Sequence, residues 1–281
     1  MKNKKIVSMA ALIADSLSAA HAQTITAWNF DSNGLQSPPY NSPAPSTGSG
    51  IASVLGMVNS YSGTNSVAGA DIISSVTGSS TPSSPDTWRI RGYVKNSQPN
   101  AGNGWSSQAP IGTQGAEFAA STAGFNNIQV SFDIAPTAQG TAYVQLEYTL
   151  DDTAGTIVWN NAALTYAANP ALVLNNSTPA SGGNGLVVGS YLNMVGAAQF
   201  YNGVTANLTG ISGVNNDPNF AIEIVNAAEG TADIAASGLP LGNSGNWSID
   251  NVVIASAPEP TTLALAGLGG LAALVAVRRR K

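Results

Sequence analysis

Cysteine is absent from the 281 residues and histidine occurs once, at His21. Without cysteine no disulfide can staple the chain, so any folded part must be held by its core. His21 lies in an N-terminal stretch with the form of a cleavable leader. The remainder can therefore build neither a Cys-His pair, nor a Ser-His-Asp triad, nor a zinc site containing histidine. Cations are nearly as scarce. Between residues 23 and 257 only Arg89, Arg91 and Lys95 stand against thirteen acids, a balance of −10. That balance argues against nucleic acid and anionic membranes as partners, since both need clustered Lys and Arg. It favours solubility and divalent cations.

The N-terminus has three cations (Lys2, Lys4, Lys5), an apolar run from Ile6 to Ala14 and an Ala20-His21-Ala22 triplet. This is the pattern of a signal peptide cut by signal peptidase between Ala22 and Gln23, with Asp15 interrupting its apolar part. The C-terminus has Pro258, Glu259 and Pro260, an apolar run, and then Arg278, Arg279, Arg280 and Lys281. The run is 15 residues from Leu263 to Val277, or 17 counted from Thr261. As a helix it would reach about 26 Å, at the lower limit for a bilayer, and Gly267, Gly269 and Gly270 weaken it. That disfavours tight permanent insertion. The terminal cations should stay cytoplasmic, which leaves everything before Pro258 outside. The expected division is a signal peptide at 1–22, a β-sandwich domain at 23–256, and a tail with a transmembrane helix at 257–281.

A Pro-Glu-Pro triplet, a short Gly- and Leu-rich apolar segment and a terminal Arg cluster, in that order, resemble the PEP-CTERM sorting signal of Gram-negative bacteria. The resemblance implies that an exosortase-type membrane protein recognises and processes the triplet, and that the tail is lost on the way to the envelope or extracellular matrix. The roles pass to Pro258, Glu259 and Pro260, with Arg278, Arg279 and Arg280 completing the signal. The other reading of the same segment is an ordinary C-terminal membrane anchor.

Between the two signals no long amphipathic helical period is visible, and turn residues recur every few positions. One-sided alternation is clearest from Ile128 to Ile134 and from Val144 to Leu150. These predict half-buried antiparallel strands, and the fold class is all-β, a single antiparallel sandwich. Asp151 to Gly155 reads as a hairpin turn with a return strand over Thr156 to Trp159. Further strands are expected over Thr24 to Phe30, Val204 to Leu208, Phe220 to Val225 and Trp247 to Ile254. Leu186 to Ala198 reads as a strand followed by a short helix. Proline-rich loops are expected over Leu35 to Gly50 and Thr77 to Asp86, with a third loop over Asn175 to Gly185. In the terminal strand apolar parity changes near Asp250 and Asn251, which predicts a β-bulge there.

A second, looser resemblance runs through Trp88-Arg89-Ile90-Arg91-Gly92, Gly104-Trp105, Gly115 to Ile134, Tyr148-Thr149, Asn219-Phe220 and Trp247 to Val253. Together these are similar to jelly-roll-like domains found upstream of PEP-CTERM signals, whose architecture resembles carbohydrate-binding modules. Glu223 departs from the pattern, since a basic residue is expected at that place.

Several residues could carry chemistry. Glu117, Glu147, Glu223 and Glu229 could supply the two carboxylates of a glycosidase, although acids on solvent faces of strands are the ordinary explanation. Asp31 and Asp250 each follow an aromatic-led strand and are the candidates for a Ca²⁺ site tying the first strand to the last. The plain alternative is that they bond local backbone amides. Trp105 in a Gly-Asn-Gly-Trp loop could stack on a sugar or plug the end of the sandwich, whereas Trp28, Trp88, Trp159 and Trp247 are expected in the core. Arg89 and Arg91 could bind a ligand, but pairing with internal acids is preferred. The expected function is a non-enzymatic surface or matrix protein among exopolysaccharide. A glycan-binding module, a glycoside-cleaving enzyme and ice binding are the alternatives, and no regular threonine array supports the last.

Overall fold

Period-two alternation is what lets a strand bury one face and wet the other, and the fold is built from such strands. The computed structural model describes residues 22–57, 66–74, 85–94, 104–177, 185–196, 199–242 and 245–257. In chain order the strands begin with β1 (Gln23–Trp28), β2 (Ile51–Leu55), β3 (Ser66–Ala68), β4 (Asp71–Ser74), β5 (Asp86–Ile90) and β6 (Gly92–Val94). Then come β7 (Gly115–Ala119), β8 (Ile128–Pro136), β9 (Tyr143–Thr149), β10 (Asn160–Asn161), β11 (Leu164–Tyr166) and β12 (Val173–Asn176). The last are β13 (Gly185–Leu186), β14 (Gly189–Asn193), β15 (Tyr201–Asn207), β16 (Ala221–Asn226), β17 (Ala228–Glu229) and β18 (Trp247–Ser256). Short 3-10 turns join some of these, and no α-helix occurs among the described residues.

Two antiparallel sheets face each other. The first runs β11-β15-β8-β18-β5-β4, with β1 sharing with β5 the same long edge of β18. The second runs β12-β14-β9-β16-β7-β2, with β10 and β14 sharing one edge of β9. Between them lies one apolar core. Ile128, Val130, Phe132 and Ile134 enter it from β8, and Val144 and Leu146 from β9, all essentially closed to solvent. The phenyl ring of Phe118, from the second sheet, lies edge-on to Trp28 and Trp88 of the first at centroid distances of 5.1 and 5.9 Å. Large rings interlocked in this way bury much apolar area, which a fold without disulfides requires.

The bulge expected in the last strand is present. Asp250 pairs with Asp133 and Val253 with Ser131, so Asn251 and Val252 together oppose a single residue of β8. Asn251 takes a left-handed conformation with φ 48°. The extra residue returns Val252 and Ile254 to the core side, where both are buried with Trp247 and Ile249.

Other local expectations shift. No strand forms over 156–159. Instead Asn160 and Asn161 pair with Tyr148 and Glu147. That return is fixed by side-chain hydrogen bonds: Asn161 Oδ1 accepts from Ser190 N at 2.7 Å, and its Nδ2 donates to Gln145 at 2.8 Å. Val158 is accordingly 67 % exposed. Trp159 is half-buried outside any strand and does not enter the core. The stretch from 186 holds the end of β13 and then β14 (Gly189–Asn193), and a turn follows at 195–196 where a helix was expected. The ends of the expected loop over 175–185 lie in β12 and β13. Residues 77–84 of the second proline-rich loop lie outside the described residues, and Asp86 already belongs to β5.

Candidate functional site

The outer face of the second sheet carries a straight line of polar side chains. Ser53 of β2 pairs with Glu117 of β7, and Glu117 pairs with Glu223 of β16. Glu223 also pairs with Glu147 of β9, and Glu147 pairs with Asn161 of β10. Directly opposed residues point to the same face, so five strands lay Ser53, Glu117, Glu223, Glu147 and Asn161 in one row. At the usual strand spacing the row is about 19 Å long, with its three acids in the middle about 4.8 Å apart from strand to strand.

The middle acid is the most enclosed. Glu223 is 5 % exposed, and its Oε2 is buried without a hydrogen-bond partner. Burial, and then the charges of Glu147, Glu117 and Asp152, push its carboxyl up to about 9. Burial also raises Glu147 to about 7. Glu117 is raised by burial and by Asp152, with a hydrogen bond from Ser53 acting the other way. Three carboxyl groups this close cannot all ionise cheaply, and the row loses its protons as a coupled unit.

Neighbouring elements hold the row in place. Gln145, two residues before Glu147 on β9, donates Nε2 to Glu147 Oε1 at 2.7 Å and is itself held by Asn161. The loop at 110–113 closes over Glu147, where a Cβ on Gly112 (φ 79°) would lie 3.2 Å from Glu147 Oε1. Asn226, at the end of β16, clamps this loop by accepting from Thr113 N and Gln114 N and donating to the Pro110 carbonyl. Gly115 lets β7 come close to β16, since a Cβ there would meet the Ile224 carbonyl at 2.1 Å.

Of the four glutamates considered as paired carboxylates, the fold therefore unites Glu117, Glu147 and Glu223 and separates Glu229. Glu229 accepts from Ile111 N at 3.2 Å and lines a different groove of about 780 Å³ together with Ser107, Asp233, Ile234, Pro240 and Leu241. Burial raises Asp233 to about 7 against the opposing effect of a hydrogen bond from the Thr141 hydroxyl. Where a basic residue was expected, Glu223 stands between two further acids.

The remaining candidates fall elsewhere. Arg89 and Arg91 both bind the buried carboxylate of Asp71, Arg89 through two guanidinium nitrogens and Arg91 at 2.8 Å. Trp105 is 0 % exposed, its ring centroid 4.4 Å from that of Trp247. It plugs the core, and its faces are closed to a sugar. Asp250 is also fully buried. It accepts from Asn251 N at 2.7 Å, and Asn251 Nδ2 bridges it to Asp133 Oδ2 at 2.9 Å. Asp31 caps Asp86 N at 3.0 Å. Asp250 thus takes up the amide next to it in sequence, whereas Asp31 takes one from a strand 55 residues away, and among the described residues no three His, Cys, Asp or Glu side chains converge to hold a metal ion.

Gln23 opens β1, with Ala22 just ahead of it. Residues 1–21 and the sorting residues Pro258, Glu259, Pro260, Arg278, Arg279 and Arg280 lie outside the described residues. Among the described residues no helix is long and apolar enough to cross a membrane.

In comparison with known families, residues 256–281 fit the model of the PEP-CTERM protein-sorting motif. Such a motif implies export through exosortase-type sorting with transient membrane anchoring. No curated protein and no solved structure matches the chain.

Proposed function

Because the chain carries a PEP-CTERM sorting motif, we propose that it is a non-enzymatic protein of the bacterial surface or extracellular matrix, with a structural or adhesive role among exopolysaccharide. The observation that carries this reading is where the motif begins. The match starts at residue 256, the last residue of β18, and Ala257 N still donates to the Asn127 carbonyl at 2.9 Å. The segment that is sorted is thus joined without a spacer to a two-sheet body with a closed apolar core. Exosortase and signal peptidase are the processing partners, and the body is what remains in the matrix.

Glycoside cleavage is the competing reading, favoured by one groove that holds both Glu229 and Asp233. Each of these acids already secures its own loop, Glu229 through Ile111 and Asp233 through Thr141, and this supports a structural role for the pair.

The test is made in the exporting host. The full chain should fractionate with the matrix and its exopolysaccharide and release no reducing ends from it. Deleting residues 278–281 should leave export intact and lower the processed, matrix-associated form, because the signal peptide starts translocation and the cations stop it. Equal matrix association of the two forms would count against the tail's role. Reducing-end release that disappears in Glu229→Gln or Asp233→Asn would overturn the non-enzymatic reading.

A further inference from the structure

The row on the second sheet contains a contradiction that its own residues do not resolve. A buried carboxyl oxygen without a partner carries the full cost of its lost hydration, and native structures rarely leave one so. Glu223 Oε2 is such an atom, and its cross-strand neighbours on both sides are acids that add repulsion. Inside the chain, cations are few. Arg89 and Arg91 are bound to Asp71, and no ion pair reaches the row among the described residues.

A missing positive partner would relieve both defects, and the shape of the row indicates its kind. A hard divalent ion needs several oxygens converging at 2.3–2.6 Å around a single point. Acids on three successive strands are strung out in a line, and the described residues offer no converging set of three. An ammonium group asks for less. It is compact and directs three donors at separate acceptors, so it can lie between Glu117 and Glu147 and donate toward Glu223. Those two outer glutamates are half-buried and flank the approach. The uncharged ends of the row, Ser53 and Asn161, extend the line beyond the acids: Ser53 brings a hydroxyl suited to sugar hydroxyls, and Asn161, whose amide is held by Gln145 and Ser190, bounds the other end.

We propose that the row Ser53, Glu117, Glu223, Glu147 and Asn161 is a binding site for a linear polysaccharide bearing protonated amino groups, with an ammonium group seated over Glu223. This rests on the matrix reading above for its choice of a polysaccharide over a peptide. Binding supplies the positive charge that the row lacks, and it keeps all three carboxylates ionised at neutral pH. A sugar whose amine is acetylated offers one amide N–H and no charge, so it leaves the repulsion in place.

The experiment is isothermal titration of the purified full-length chain with four probes: a glucosamine hexamer, its fully N-acetylated counterpart, hexalysine, and exopolysaccharide from the exporting host. The glucosamine hexamer should bind at least tenfold more tightly than the acetylated one and than hexalysine. Glu223→Gln and Glu147→Gln should each weaken it at least tenfold while their melting temperatures show them folded. Equal affinity for the acetylated hexamer, or an unchanged affinity in both variants, would overturn the site. Hexalysine binding as tightly as the glucosamine hexamer would overturn the assignment to a polysaccharide. If the host exopolysaccharide binds and the glucosamine hexamer does not, the ammonium site falls and the matrix reading stands. If no glycan binds, both fall.

Discussion

Two buried acids in this protein hold the same kind of position with opposite neighbours. Asp71, on the first sheet, lies beside Arg89 and Arg91 and is bonded by both guanidinium groups. Glu223, on the second, lies between Glu117 and Glu147 and keeps one oxygen without a partner. The first arrangement is complete within the chain, because removing an acid from water is offset when the lost hydration is replaced by charged donors. The second is incomplete within the chain, and burial with like charges makes the proton the only neutralising partner at hand. A satisfied cluster serves the fold, whereas an unsatisfied one on an outer face is where an external partner gains most.

Four changes test this contrast. The largest effect is expected from a carboxylate that has neither kind of neighbour. Phe132→Asp puts a charge between the sheets, costs several kcal/mol and should prevent folding, and an unchanged melting temperature would mean that Phe132 does not enter the core. Next, Asp71→Ala should cost about 3 kcal/mol, the low end for breaking a buried pair, because both guanidiniums can reach water. Urea titration that finds less than about 1 kcal/mol would show the Asp71 cluster to be as dispensable as a surface ion pair.

Glu223→Gln should act in the opposite direction and depend on pH. Burial raises the folded-state carboxyls of Glu223 to about 9, with repulsion from its acidic neighbours adding to it, and of Glu147 to about 7, above the ordinary value they keep in the unfolded chain. Between about pH 4.5 and pH 9 these two groups therefore hold more protons in the folded state than in the unfolded state, so their contribution to stability is greatest below about pH 4.5 and falls as the pH rises through these values. The ligand-free parent should lose several degrees of melting temperature from about pH 5 to about pH 9. Glu223→Gln should flatten that slope and stabilise by about 2 kcal/mol near pH 8, with little effect near pH 4, since a pKa unit is worth about 1.4 kcal/mol. A parent whose melting temperature rises over this range would break the contrast. The smallest change is Ser53→Ala, which removes the hydrogen bond that favours ionised Glu117. It should raise the Glu117 midpoint in a carboxyl NMR titration and cost about 0.5–1 kcal/mol.

Much of the framework was legible along the chain. The alternation in Ile128, Val130, Phe132 and Ile134 marked β8, and the parity change at Asp250 marked the bulge, because both are local consequences of a side-chain period of two. Glu147 could be placed on an outward face in the same way. The return strand after the turn at 151–155 was misplaced, because side-chain hydrogen bonds from Asn161 set its position and apolar pattern did not. Trp105 could be read as a sugar platform or as a plug, and only its packing on Trp247 decides for the plug.

The sequence by itself determined the composition of the body, the parity of its long strands and the sorting motif at 256–281, since each is written within a short stretch of chain. Only the tertiary structure decided which acids meet. Glu117, Glu147 and Glu223 come into one row because β7, β9 and β16, far apart in sequence, pair in one particular register. A slip of one residue would turn an acid to the other face, and that register is set jointly by a core and by loops that no local pattern contains.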